Sequence, residues 1–331
     1  MATKKTDSDG PAGSTRNKKI RCRLCGQQNT VKSGYKNREA NCGKCKLPLS
    51  DEYHKKFAGL TKHDYVHPAD SKALAALRAI PGIDSGLKRL LKVTGESAIR
   101  VTFMASAVKV TPEQCPDLHT KLQIACTTLG VEMPDMFIQQ NPIVNAFTGG
   151  VDKPIIVLHS ALLERLNEEE TLAVIAHEVG HIHAEHVLYL TAARLFEALA
   201  NGALQLVVPG SEIIKFLISA GISSALLAWA RRAELSCDRA ALLVTQDPHI
   251  IGKTMMKLAG GTLSAKIDYD LFLKQAREFQ KNYDEKIMDK FWADIINAGL
   301  SHPFPIWRVA EILRWVDTGQ YADLMEGAES A

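Results

Sequence analysis

The chain has 331 residues, 46% hydrophobic and 23% charged, enough apolar material for at least one full core, which excludes fibrous and wholly unstructured chains. A formal charge of +3 is too small to dictate a polyanionic partner. Seven cysteines make an odd set, and the polar start carries Lys4 and Lys5 with no apolar run behind them, so a secretory signal is not expected. These features predict a cytoplasmic protein whose reduced cysteines serve as metal ligands or buried thiols rather than as a disulfide framework.

Residues 1–19 hold almost nothing apolar and read as a disordered tail. The first seventy residues are locally basic, with 15 Lys and Arg against 7 Asp and Glu. Within residues 20–50, Cys22-x-x-Cys25 and Cys42-x-x-Cys45 stand sixteen residues apart, and four thiolates so paired satisfy tetrahedral zinc. So short a module has too little core to fold alone, whereas structural zinc supplies on the order of 10 kcal/mol. A four-cysteine zinc ribbon is expected at 20–50, followed by a linker at 51–67 and one domain at 68–331. Lys18, Lys19, Arg21, Arg23, Lys32, Lys36 and Arg38 leave nucleic acid open as a ribbon partner. Tyr35 is its single aromatic platform, which speaks against base stacking.

Leu and Ala at helical intervals predict helices at residues 72–79 and 85–92, separated by Pro81-Gly82. A helix is expected at 116–129, and β-like runs at 136–138, 143–147 and 154–158 predict a small sheet. Asn167 and Glu170 are in capping-box register, so a long helix should start at Glu168. It should continue at least through His186, because no Pro or Gly pair interrupts it before Asn201-Gly202. Residues 198–211 and 216–230 are uncharged runs of 14 and 15 residues, short of the roughly 20 that a membrane span needs. A buried helical hairpin is the first reading, and membrane association through residues 198–230 the second. Residues 248–325 read as amphipathic helices.

Inside the long helix stands His177-Glu178-Val179-Gly180-His181. Four residues advance a helix by about 400°, so both imidazoles lie on one stripe, a turn apart, and reach one cation. Glu178 is offset by about 100°; its carboxylate is placed to take a proton from an attacking water and return it to the leaving amine. Downstream, Glu234 and Asp238 share a helix face. Glu234 completes a His/His/Glu set, and Asp238 is suited to hydrogen-bond the far nitrogen of a liganding imidazole. On a continued helix His183 and His186 are rotated by about 200° and 140° from His181 and read as surface or packing residues. Cys115, Cys126 and Cys237 read as buried small hydrophobes.

Over roughly residues 68–318 the chain resembles the zinc metallopeptidases that include HtpX and the CAAX prenyl endopeptidase. The resemblance rests on Asn145-Ala146-Phe147, on HExxH, on the E-x-x-x-D run of Glu234 and Asp238, and on Ser301-His302-Pro303-Phe304-Pro305 followed by Arg308. It implies a gluzincin-type fold of the α+β class, predominantly helical with a small edge sheet. It also implies a catalytic zinc on His177, His181 and Glu234, with Glu178 as base. Asn145, Ala146 and Phe147 would form an edge strand that binds an extended substrate peptide, and His302 and Arg308 would face the oxyanion or the substrate carbonyls. A role in protein quality control is the biological expectation.

Two features depart from that family. Its membrane members carry spans before and after HExxH, and the ribbon lies outside the common core. DNA-associated SprT-like proteases also combine HExxH with a ribbon, but place the ribbon after the catalytic helix and use a third histidine. A ribbon-based binding protein with an inactive peptidase domain is the other alternative, and the intact HExxH with Glu234 opposes it. The expectation is a zinc endopeptidase with one catalytic and one structural Zn2+, acting on polypeptides.

Overall fold

The computed structural model describes residues 17–22, 27–32, 40–44, 46, 47, 49, 55–94, 96–200, 221–282 and 304–330. Strand β1 (Asn17–Arg21) pairs antiparallel with β2 (Gln28–Lys32). It starts inside the segment expected to be tail, because pairing satisfies backbone groups that a lone tail would leave to water. The Cys22 amide donates to Gln27 O at 2.7 Å and the Cys42 amide to Leu47 O at 2.8 Å, the same closure in both halves of the module. Cys22, Cys42, Leu47 and Leu49 are buried against the main core. Cys25 and Cys45 lie outside the described residues. The expected linker is clamped: β3 (Lys55–Lys56) pairs with β8 (Glu329–Ser330), and Tyr65 and His67 are buried.

Helix α1 (Pro68–Arg78) precedes α2 (Ile83–Thr94). It begins before the expected position because Pro68 occupies its first turn and His67 accepts a hydrogen bond from the Ala69 amide. Helix α3 (Glu96–Ser106) and strand β4 (Val108–Lys109) lead to α4 (Pro116–Leu129), whose bounds are those expected. Strands β5 (Asp135–Gln139), β6 (Ala146–Gly149) and β7 (Ile155–His159) join β4 in a sheet of order β4-β5-β7-β6. Strand β7 is buried at every position and runs parallel to β5. Strand β6 is antiparallel to β7 and forms the sheet edge.

After α5 (Ser160–Arg165) comes α6 (Glu168–His183). Its capping box is complete: the Glu170 amide donates to Asn167 Oδ1 at 2.9 Å and the Asn167 amide to Glu170 Oε2 at 2.8 Å. The helix does not run through His186. Glu185 adopts a left-handed φ of 60°, its amide donates to Ile182 O at 3.0 Å and the His186 amide to His181 O at 2.9 Å. This Schellman ending uses a glutamate where glycine is usual. The left-handed form costs a non-glycine residue about 1–2 kcal/mol, and Lys62 at 2.6 Å and Arg78 at 3.2 Å hold the Glu185 carboxylate in place.

A new helix, α7 (Val187–Ala200), starts beyond the turn. Among the described residues the remaining α-helices are α8 (Ile222–Thr245), α9 (Pro248–Gly260), α10 (Tyr269–Asn282), α11 (Pro305–Asp317) and α12 (Gln320–Glu326). The fold is thus α+β and predominantly helical. Helices α6 and α8 cross closely at Gly180, where a Cβ would meet Ala240 Cβ at 2.8 Å and Cys237 Cα at 3.3 Å. Among the described residues no helix is long and apolar enough to cross a membrane. Residues 201–220, most of the expected hairpin, lie outside the described residues. Its last part forms the start of α8, with Ile222, Leu226 and Trp229 buried.

Candidate active site

The close crossing of α6 and α8 brings Glu234 between the two imidazoles of HExxH. Nε2 of His177 lies 3.3 Å from Glu234 Oε2, and Nε2 of His181 lies 3.4 Å from Glu234 Oε1. All three residues are buried. Donors about 2.0–2.2 Å from a tetrahedral zinc stand roughly 3.3–3.5 Å from one another, so the spacing and the chemistry of this set fit the ion.

The electrostatics are those of a proton standing in a cation site. Burial opposes a charged His177, yet the Glu234 charge and the Asp238 hydrogen bond prevail and raise its pKa to about 9. Burial holds the His181 pKa below its ordinary value. Burial alone would push the Glu234 pKa up, but His177, with help from His181 and Arg308, holds it well below the carboxylate range.

The Nδ1 sides of the rings face different partners. Asp238 Oδ1 lies 3.1 Å from His177 Nδ1, where the sequence predicts it. Arg308, from α11, grips the same carboxylate through Nε at 2.7 Å and Nη2 at 2.5 Å, while its Nη1 lies 3.3 Å from Glu234 Oε2. Burial would raise the Asp238 pKa; Arg308 overrides it and lowers that pKa. The guanidinium therefore faces the carboxylates of Asp238 and Glu234, where the resemblance implied the oxyanion or the substrate carbonyls. His302 lies outside the described residues.

The Glu178 carboxylate is held from the sheet. Thr148 Oγ1, on β6, lies 2.7 Å from Glu178 Oε2 and 3.0 Å from the Glu178 carbonyl oxygen. Alternation along β6 turns Phe147 to the other face, where its ring packs against Phe103 and His159. Ala146 and Asn145 line a pocket of about 290 Å³ beside His177, Glu178 and Glu234. Its walls include Leu162, Val174, Ile251, Met255, Leu258 and Phe304.

The comparisons with known proteins agree with this geometry. Residues 112–316 match the model of peptidase family M48. The chain is 37% identical over 276 residues to the plastoglobule-localized metallopeptidase 48, chloroplastic, of Arabidopsis thaliana, covering 82% of this chain and 78% of that protein. It is 26% identical over 200 residues to a protease HtpX homolog of Ligilactobacillus salivarius, covering 53% and 68% of the two chains. It is 26% identical over 178 residues to protease HtpX homolog 2 of Methanosarcina mazei, covering 48% and 60%. No solved structure gives a significant match.

The chain belongs to peptidase family M48. As an M48 member it is a zinc metalloprotease, a hydrolase of polypeptides. Three neighbours of the M48 site escape the sequence reading. Thr148 is one, and the two-residue alternation of β6 is the signal that could have found it.

His186 is the second: it is fully buried, with Nδ1 at 3.3 Å from His181 Nδ1, and so is neither a surface residue nor mere packing. Cys237 is the third. Donor atoms of His177, His181 and Cys237 lie within 4.8 Å of one another, a cluster able to hold a metal. The Cys237 sulfur, however, lies 3.8 Å from His186 Nδ1, which places it on the Nδ1 side of His181, away from the Nε2 atoms that face Glu234. Burial, then the surrounding carboxylates, push its thiol pKa well up, so the thiolate form that binds metal is disfavoured.

Proposed function

We propose that this M48 protein is an endopeptidase in which His177, His181 and Glu234 hold the catalytic zinc and Glu178 is the general base. The observation that carries this reading is the span of the Glu234 carboxylate across both Nε2 atoms, at 3.3 and 3.4 Å. A zinc ion held by these residues would supply Lewis-acid polarisation of a water and of the peptide carbonyl. Glu178 takes one proton from the attacking water as its oxygen bonds to the carbonyl carbon. It delivers that proton to the departing nitrogen as the C–N bond breaks. Thr148 keeps the Glu178 carboxylate aimed during both transfers.

The substrate lies extended along the β6 edge, where main-chain hydrogen bonds hold it with little demand on sequence. Of the residues inferred to bind it, Asn145 and Ala146 border the pocket, whereas the Phe147 backbone pairs with Val157 of β7 and its ring turns to the other face. Such backbone-led recognition suits the turnover of many polypeptides, as protein quality control requires. Arg308 acts as a positioning residue for Asp238 and Glu234. A second, structural zinc on Cys22, Cys25, Cys42 and Cys45 completes the proposal, supported by the matched backbone closures at Cys22 and Cys42.

Casein cleavage and zinc content test this reading together. Wild type should hold two zinc ions per chain, and Glu178→Gln should keep both while cleavage falls to background. Cleavage by Glu178→Gln at the wild-type rate would overturn the assignment of the base. Retention of two zinc ions by Glu234→Ala would overturn that of the third ligand.

A further inference from the structure

We propose that Asp70 and His186 form a positioning relay that fixes the liganding tautomer of His181 and so sets how long the catalytic zinc is retained. The inference rests on the ligand assignment above. Asp70, on α1, lies outside residues 112–316 that match the M48 model. It is nonetheless fully buried. One oxygen accepts from Trp229 Nε1 at 2.8 Å and the other from Ser236 Oγ at 2.5 Å. The second oxygen also lies 3.0 Å from His186 Nε2, which approaches it obliquely.

The left-handed turn at Glu185 brings this geometry about. It folds His186 back so that its amide closes on His181 O while its ring reaches the His181 ring. Trp229 packs edge-on against the other side of His186, at 5.3 Å between ring centroids.

The direction of the hydrogen bonds then follows from donor and acceptor inventory. Burial would keep Asp70 protonated, but His186, Ser236 and Trp229 lower its pKa, so it is an ionised, acceptor-only group. The Asp70 charge, 3.0 Å from Nε2 though too oblique for a full hydrogen bond, favours the His186 tautomer protonated there, which offers the lone pair of Nδ1. His181 answers with an Nδ1 proton, which leaves Nε2 unprotonated and aimed at the space beside Glu234 Oε1. His177 obtains the same orientation from Asp238 and Arg308. The two ligands are thus oriented from opposite sides, one by α8 and α11, the other by α1 and the turn after α6.

The test is zinc release from the full-length, zinc-loaded protein into excess chelator, following the kinetic phase that Glu234→Ala abolishes. Groups that orient a metal-bound histidine are worth roughly 10–100-fold in metal affinity. His186→Leu and Asp70→Asn should therefore speed that phase by about 10–100-fold. His186→Gln, whose amide can accept from His181 and donate to Asp70, should release zinc within a few-fold of wild type. Thermal unfolding of the metal-free proteins separates this from loss of fold; Asp70→Asn, being isosteric, keeps the test decisive should His186→Leu not fold. Wild-type release from both His186→Leu and Asp70→Asn would overturn the relay, as would equal acceleration in His186→Leu and His186→Gln. If wild type itself shows no phase that depends on Glu234, the ligand assignment has failed instead.

Discussion

The hydroxyl of Thr148 lies 2.7 Å from the Glu178 carboxylate, which ties the strand at the sheet edge to the residue inferred to move the proton. In the proposed reading one strand both presents the substrate backbone and aims the base, so the distance between them is set by the pleat of β6 rather than by two independent loops.

Thr148→Val keeps the shape of the side chain and removes this hydrogen bond. The loss of one hydrogen bond to a buried charged group is about 1.5–3 kcal/mol, so kcat for a peptide substrate should fall roughly tenfold to a hundredfold. KM and zinc content should change little, because the Thr148 hydroxyl reaches the Glu178 carboxylate and carbonyl and the substitution leaves the strand backbone in place. Unchanged kcat in steady-state assays would show that Glu178 needs no such anchor.

Arg308 is buried with Asp238 and Glu234 on its nitrogens. Its removal leaves two buried carboxylates short of a cation. Arg308→Ala should cost about 3–5 kcal/mol in denaturant unfolding, and Arg308→Lys should recover only part of this, since an ammonium lacks the fork that meets both Asp238 oxygens. A loss within about 0.5 kcal/mol, as for an ordinary surface site, would contradict the ion-pair account.

The raised His177 pKa has opposite consequences with and without metal. In the metal-free protein its contribution to stability is fully present below 6.5, the ordinary histidine value, and is lost as pH rises through about 9. Thermal stability of that form should therefore decline across this interval. Since His177 is protonated at pH 7, zinc uptake there should release about one proton from it. Calorimetric titrations in buffers of different ionisation enthalpy measure this; zinc binding without proton release would show that His177 is neutral before the metal arrives.

Local chemistry was legible in the sequence. Asn167 and Glu170 announced the start of α6, and the four-residue spacing of His177 and His181 placed both rings on one face. The end of α6 was not legible, because Glu185 takes a conformation usual for glycine, closed by the Ile182 and His181 carbonyls and accompanied by ion pairs to Lys62 and Arg78 that no local spacing reveals. Reading a continuous helix through that point turned His186 away from the site. The same blindness applied to Arg308: the motif located it, but its preference for Asp238 and Glu234 depends on how α11 packs against α8.

The sequence alone therefore determined the family and named the groups proposed to react, since helix periodicity and ligand type are short-range properties written in consecutive residues. Only the tertiary structure decided which buried partners hold those groups. Asp70, Thr148, His186 and Arg308 reach the site through α1, β6, the turn after α6 and α11. Their meeting depends on packing between elements far apart in the chain, for which no local spacing rule exists.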